Sequence, residues 1–254
     1  NGYWVTCAIL DNGDLVCWGW NRHGQLGNGQ DGGGNANCCE FDNTSEPIDL
    51  GLGRTAVAVS TGGSHTCAIL DNGELKCWGW DNHGALGDGG MTGSWINTPP
   101  SNAIDLGLGR TAIAVSAGRH HTCAILDNSD LKCWGRDDSG QLGTPGNSMS
   151  LGEPQSTPIN LGPGRTAIAV SAGNSHTCAI LDNGELKCWG GDSHGHLGRG
   201  ISAPYVDGSD YSLVQLHEPP STAIDLGPGR TAVAVAAGGY NTCAILDNDE
   251  AKCW

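Results

Sequence analysis

"CAILDNGELKCWG" runs from Cys67 to Gly79 and returns almost letter for letter at Cys7–Gly19, Cys123–Gly135 and Cys178–Gly190, with a shorter copy at Cys243–Trp254. Every copy keeps two cysteines at one separation on either side of a polar turn. A three-residue hairpin loop, a type I turn followed by glycine in the left-handed region, sets Ile69 against Leu75 and Cys67 directly against Cys77. A two-residue Asn-Gly turn would set Cys67 against Trp78 instead. Only the first register makes the cysteines cross-strand neighbours within reach of a disulfide. The same arithmetic pairs Cys7 with Cys17, Cys123 with Cys133, Cys178 with Cys188 and Cys243 with Cys253. Free buried thiols are one alternative and a zinc site another, but zinc favours cysteines two to four residues apart that converge as four ligands. The loop glycine gives way to Ser129 and Asp249 in two copies, where a strained or altered turn is expected.

The hairpin belongs to a longer repeat. Aligning on the arginine of "GRTA" gives Arg54, Arg110, Arg165 and Arg230. The repeats run approximately over 1–53, 54–109, 110–164, 165–229 and 230–254, with variable insertions at 28–46, 88–101, 144–157 and 199–221. Four short apolar runs occur per repeat, "PIDL", "TAVAVS", "HTCAIL" and "ELKCWG", divided by Gly, Pro, Asn and Asp. None has the length or period of an amphipathic helix. The chain therefore reads as all-β. "TAVAVS" alternates small and branched side chains, as a strand buried on both faces would. Sheets of four strands repeated about an axis make a β-propeller. Four full repeats and one split hairpin are visible. Both termini fall inside a repeat, and a seven-blade ring would need residues outside this sequence.

Composition narrows the function classes. The net charge of −15, with only 12 Lys and Arg, disfavours nucleic acid, whose phosphates are bound through cations, and equally an anionic lipid surface. No apolar run approaches a membrane span, so direct membrane insertion is not expected. Five stapled hairpins, each contributing about 2–3 kcal/mol, imply an oxidising compartment and a secreted or cell-surface protein. Cys38 and Cys39 stand adjacent in the first insertion and suit either a vicinal disulfide or a bond to a second chain. Asn43-Thr44-Ser45 is a glycosylation sequon in that insertion.

The segments "SHTCAIL" at Ser64–Leu70, "DNG" at Asp71–Gly73 and "CWGWNRHGQLGNG" at Cys17–Gly29 resemble the repeat of the regulator-of-chromosome-condensation family. The resemblance covers the chain apart from its insertions and implies a β-propeller, commonly of seven blades. The cysteine pairs depart from the nuclear members and resemble secreted relatives. A plant relative's ultraviolet sensing rests on Gly-Trp-Arg-His-Thr segments, which "GSHT" and "GRHHT" lack.

Repeated residues have structural readings. Trp18, Trp78, Trp134, Trp189 and Trp254 suit packing between blades. His65, His121 and His176 share a slot filled by Val5 and Asn241 elsewhere, as hydrogen-bonding residues rather than bases would. His23, His83 and His194, in the turns before "HG", read the same way. The four "GRTA" arginines are expected to pair locally with an aspartate or a carbonyl.

Distinctive residues are expected to carry function. Trp20 and Trp80 are replaced by Arg136 and Gly191 and are candidates for an exposed contact. Trp95, Tyr205, Tyr211, Leu213 and His217 lie in insertions, either gathered into a recognition surface or folded back over the blades. The reading is a non-catalytic extracellular interaction or structural module that binds a protein or glycan, or other copies in an assembly. The alternatives are a secreted enzyme or lectin, for which Asp207, Asp210, His217 and Glu218 could form an acid/base site, and a nucleotide-exchange factor for a small GTPase. No cofactor or metal-ligand set stands out.

Overall fold

The computed structural model describes residues 4–30, 41–42, 46–91, 93–145, 149–200 and 215–254. Cys38, Cys39, Asn43, Tyr205, Asp207, Asp210, Tyr211 and Leu213 lie outside the described residues.

The described chain is a succession of antiparallel sheets with one 3-10 turn at Asn82–Gly84. The first sheet holds β1 (Val5–Ile9), β2 (Leu15–Trp20) and β3 (Phe41–Asp42). The second holds β4 (Ala56–Thr61), β5 (His65–Leu70), β6 (Leu75–Trp80) and β7 (Trp95–Ile96). The third holds β8 (Ala112–Ala117), β9 (His121–Leu126) and β10 (Leu131–Gly135), with a bridge from Gly135 to Leu151 in place of a fourth strand. The fourth holds β11 (Ala167–Ala172), β12 (His176–Leu181), β13 (Leu186–Gly191) and β14 (Gln215–Leu216). The last holds β15 (Ala232–Ala237), β16 (Thr242–Leu246) and β17 (Ala251–Cys253). This is the blade arrangement of a β-propeller.

The hairpin register sets Ile69 opposite Leu75 and Cys67 opposite Cys77, and equivalent pairs face each other in all five sheets. All five pairs are disulfide-bonded, with Cα atoms 4.1 Å apart, the narrow spacing of a non-hydrogen-bonded antiparallel pair. The turn survives loss of its glycine. Ser129 and Asp249 hold φ of 66° and 65°, close to the 79° of Gly73, and keep the same closing hydrogen bonds. The turn is strained there, not altered.

Two expectations need correction. "PIDL" is not a strand. Its isoleucine amide makes one bond back to the preceding sheet (Ile48 N–H to Leu15 O, 2.8 Å), and the Leu50 carbonyl is taken by Lys76 Nζ at 3.1 Å. The fourth strands come instead from the insertions. Nor is "TAVAVS" buried on both faces. A bulge between Ala56 and Ala58 leaves Val57 out of the ladder, and Val57, Ile113, Ile168 and Val233 are all more than half exposed.

The first strands of successive sheets are tied to one another. Ser60 Oγ accepts the amide of Ala117, Ser116 Oγ that of Ala172, and Ser171 Oγ that of Ala237, at 2.8–2.9 Å. Apolar cores sit between sheets, each centred on a tryptophan. Trp78, Trp134 and Trp189 are fully buried and donate Nε1–H to the Gln25, Ala85 and Gln141 carbonyls of the preceding blade, each at 3.1 Å. A Cβ at Gly87 would lie 2.6 Å from the Trp134 indole nitrogen, so that loop requires glycine. The "GRTA" arginines pair with the turn aspartates: Arg54 with Asp71, Arg110 with Asp127, Arg165 with Asp182 and Arg230 with Asp247.

Candidate functional site

The loops that follow the strand carrying the second cysteine of each pair, such as "NRHGQLG" after β2 and "DNHGALG" after β6, are fixed from within by a buried side chain. Asn21, Asp81, Asp137 and Asp192 each accept, through Oδ1, the amide of the leucine five residues on (Leu26, Leu86, Leu142 and Leu197). Their second atom is served differently. Asp192 Oδ2 takes Nε and an Nη of Arg199 at 3.0 and 2.9 Å, whereas Asp137 Oδ2, among the described residues, takes the Thr144 hydroxyl at 3.2 Å. Burial pushes the Asp137 carboxyl up to about 7, against the lowering effect of its hydrogen bonds to Leu142 and Thr144.

In the first loop the amide of His23 is held by Gln25 Oε1 at 2.8 Å, which aims the imidazole at the neighbouring sheet. There it stacks flat on Trp80, with centroids 4.7 Å apart and planes 9° apart. Trp20 meets the same imidazole edge-on at 5.3 Å, and Trp95 approaches it at 6.1 Å. Register explains the gathering. Trp80 ends β6 directly opposite Trp95 on β7, and its indole donates to Gly93 O at 2.9 Å, while Trp20 occupies the equivalent end of β2. Trp20 and Trp80 are half-buried and Trp95 is 47% exposed. Of the binding candidates read from sequence, the structure thus brings Trp20, Trp80 and Trp95 together.

The strip continues across the third sheet. Trp80 meets His120 edge-on at 6.1 Å, and His120 lies 6.0 Å from His83. Arg136 pairs with Asp138 beside them, and Arg119 reaches Asn174 at 3.3 Å. Burial, then the charge of Arg22, lowers the His23 pKa. Burial, then Arg119, Arg136 and His83, hold His120 down at about 4, with Asp138 opposing. At neutral pH the strip is therefore a row of aromatic planes and uncharged imidazoles edged by guanidinium groups. Beside it, Gly62, Gly118, Arg119, Gly173 and Gly238 line a shallow cavity of about 250 Å³ where the first strands of the blades end.

His217 lies elsewhere. It is half-buried against the preceding blade's loop, where a Cβ at Gly140 would come within 2.6 Å of its Cα. Asn97 and Gly152 take the same place against Gly24 and Gly84, so the position spaces neighbouring blades. His65, His121 and His176 are buried and bond Thr122, Thr177 and Thr242 of the next blade. Among the described residues, no group of three or more His, Cys, Asp or Glu is arranged to hold a metal ion. Sequence reasoning placed His23 with ordinary turn residues and passed over Arg22, Arg119, His120 and Arg136. Their signal was that they break the repeat: no other blade has a basic residue at the positions of Arg22, Arg119 or Arg136.

Comparison with known proteins agrees with this architecture. A family model described as the regulator of chromosome condensation (RCC1) repeat matches residues 12–69, 72–125 and 133–180, and a second model of the same description matches 56–85, 112–141 and 167–195. The chain is 34% identical over 200 residues to the ultraviolet-B receptor UVR8 of Arabidopsis thaliana, covering 77% of this chain and 41% of that protein. It is 27% identical over 258 residues to the mitochondrial RCC1 domain-containing protein RUG3 of the same plant, covering 98% of this chain and 52% of that one. The chain thus spans about half or less of these relatives' length. Among solved structures, human WBSCR16 superposes with a TM-score of 0.77 at 19% identity, over 100% of this chain and 60% of the other.

Proposed function

Because the chain belongs to the RCC1 repeat family, we propose that it is a non-catalytic, extracellular interaction module that binds its partner through the strip around His23. One observation carries this reading: Trp20, Trp80 and Trp95 converge on a single imidazole, although they are 60 and 15 residues apart in sequence and the repeat does not demand them. Large aromatic groups gathered in one half-open patch leave burial that a partner can complete, and such groups anchor most protein interfaces. The extracellular part rests on five disulfides that a reducing compartment would not maintain.

The test uses secreted protein carrying Trp20→Ala with Trp95→Ala, compared with the parent chain in chemical cross-linking to native extracellular material. The variant should keep its circular dichroism and melting temperature while losing the cross-linked species. Retention of the same species, or detection of every cysteine as a free thiol in the unreduced protein, would end the proposal. The non-catalytic part is checked by a hydrolase screen with His217→Ala as control, where any turnover that depends on His217 counts against it.

A further inference from the structure

Every one of the twelve lysines and arginines falls among the described residues. Lys76, Lys132, Lys187 and Lys252 turn inward and donate Nζ–H to the carbonyls of Leu50, Leu106, Leu161 and Leu226 at 2.7–3.1 Å. Arg54, Arg110, Arg165 and Arg230 are engaged with the turn aspartates, and Arg199 with Asp192. These nine cations belong to the framework.

Arg22, Arg119 and Arg136 remain, and all three border the aromatic strip. Arg22 is exposed next to His23 and has no hydrogen bond or ion pair among the described residues. Arg119 is exposed next to His120 and makes one bond, to Asn174. Arg136 acts on both His83 and His120 and pairs through Nη2 with the exposed carboxylate of Asp138, while its Nε is buried without a partner. A protein of net charge −15 thus keeps in one place the three cations that serve neither the repeat nor a buried carboxylate, interleaved with Trp20, Trp80 and Trp95.

We propose that this strip docks an acidic segment of a partner polypeptide, its carboxylates meeting Arg22, Arg119 and Arg136 and its aromatic or apolar side chains lying against Trp20 and Trp95. The inference rests on the strip being the recognition surface and adds the chemistry of what it recognises. Guanidinium groups bind carboxylates bidentately, and beside aromatic planes they are the side chains that dominate protein–protein hot spots. The negative field of the remaining surface repels an acidic segment everywhere else, so attraction at the strip fixes where and in which orientation it lands. A row that crosses three blades suits an extended chain better than a compact ligand.

The probes are a short fluorescent peptide alternating Glu and Tyr, its Gln and Tyr counterpart, and a heparin oligosaccharide. They are titrated against the parent chain, the triple variant Arg22→Ser, Arg119→Ser, Arg136→Ser, and Trp95→Ala. The acidic peptide should bind about tenfold or more tightly than the Gln peptide, lose that margin in the triple variant and weaken as salt rises. Arg22→Gln, at an exposed position without a hydrogen bond or ion pair among the described residues, supplies the same comparison with a smaller margin should the triple variant fail to fold. Equal binding of the two peptides, an unchanged triple variant, binding of heparin alone, or no binding of any probe would overturn the proposal. If Trp95→Ala weakens both peptides equally while the arginine changes do nothing, the recognition surface stands and only its acidic preference falls. If neither set of changes matters, both fall.

Discussion

The imidazole Nε2 of His65 lies 2.8 Å from the hydroxyl of Thr122, across the seam between two blades. Thr122 already donates its only hydroxyl proton to Ala85 O at 2.8 Å. His65 must therefore be the donor, which fixes a neutral imidazole protonated at Nε2. His121 with Thr177 and His176 with Thr242 repeat the arrangement at the next two seams, and there Nδ1, where a second proton would sit, is buried without a partner.

Acid should therefore loosen the seams. Burial, more than any neighbouring charge, pushes His65, His121 and His176 down to about 3. Between that value and the ordinary histidine value of about 6.5, the unfolded chain binds protons that the folded chain refuses. The imidazoles' contribution to stability is then full above about pH 6.5 and declines as pH falls toward 3, at up to about 1.4 kcal/mol per pH unit for each imidazole. Urea unfolding at a series of pH values measures the slope, and His121→Gln should flatten it. A midpoint that stays constant from pH 6.5 to 4 would refute the assignment.

Asp137 works in the opposite direction. Its folded-state pKa is raised to about 7, so the folded chain holds a proton that the unfolded chain releases, and stability drains away as pH rises from about 4 toward 7. Asp137→Asn reproduces the residue present at Asn21 and cannot ionise. The variant should melt higher than the parent at pH 8 and no higher at pH 4. The reverse order would show that the carboxylate is stabilised in a way its two hydrogen bonds do not reveal.

Ser129 sits at φ 66° in a turn whose other copies include Gly13, Gly73 and Gly184. Ser129→Gly should stabilise by about 0.5–1 kcal/mol, the left-handed penalty less the glycine's extra chain entropy. The converse change, Gly73→Ser, should cost more, because a Cβ there would come within 2.7 Å of the Thr111 Cβ. Denaturation midpoints of the two variants should move in opposite directions.

Equivalent tryptophans should differ sharply in worth. Trp134 is fully buried and hydrogen-bonded to Ala85 O, so Trp134→Ala is expected to cost about 3–5 kcal/mol. Trp18, at the same place in the first sheet, is 40% exposed, and its replacement should cost much less. Equal losses at the two positions would mean that burial between blades is not what these residues supply.

Much of this architecture could be read from local spacing. Cysteine register, turn chemistry and alternation are properties of neighbours along the chain, and they sufficed for the hairpins and their bridges. The bulge at Val57 was not legible, because it depends on how β4 meets both β5 and the adjacent blade. Nor was the fate of "PIDL", whose carbonyl is claimed by Lys76, a lysine 26 residues from Leu50. For the site, Trp20, Trp80 and Trp95 stood out as departures from the repeat, but their meeting at His23 depends on blades packing side by side. Asking which cations the repeat leaves unused would have returned Arg22, Arg119 and Arg136 together with Arg199, which only the structure commits to the buried Asp192.

Each of the five disulfides closes within a single sheet, and none joins two blades. Oxidation therefore makes the individual hairpins durable without welding the wheel together. Cohesion between blades is left to packing and hydrogen bonds, and because Cys67, Cys123 and Cys178 face the threonines of the adjoining blade, a reductant reaches their sulfurs only after those seams have opened.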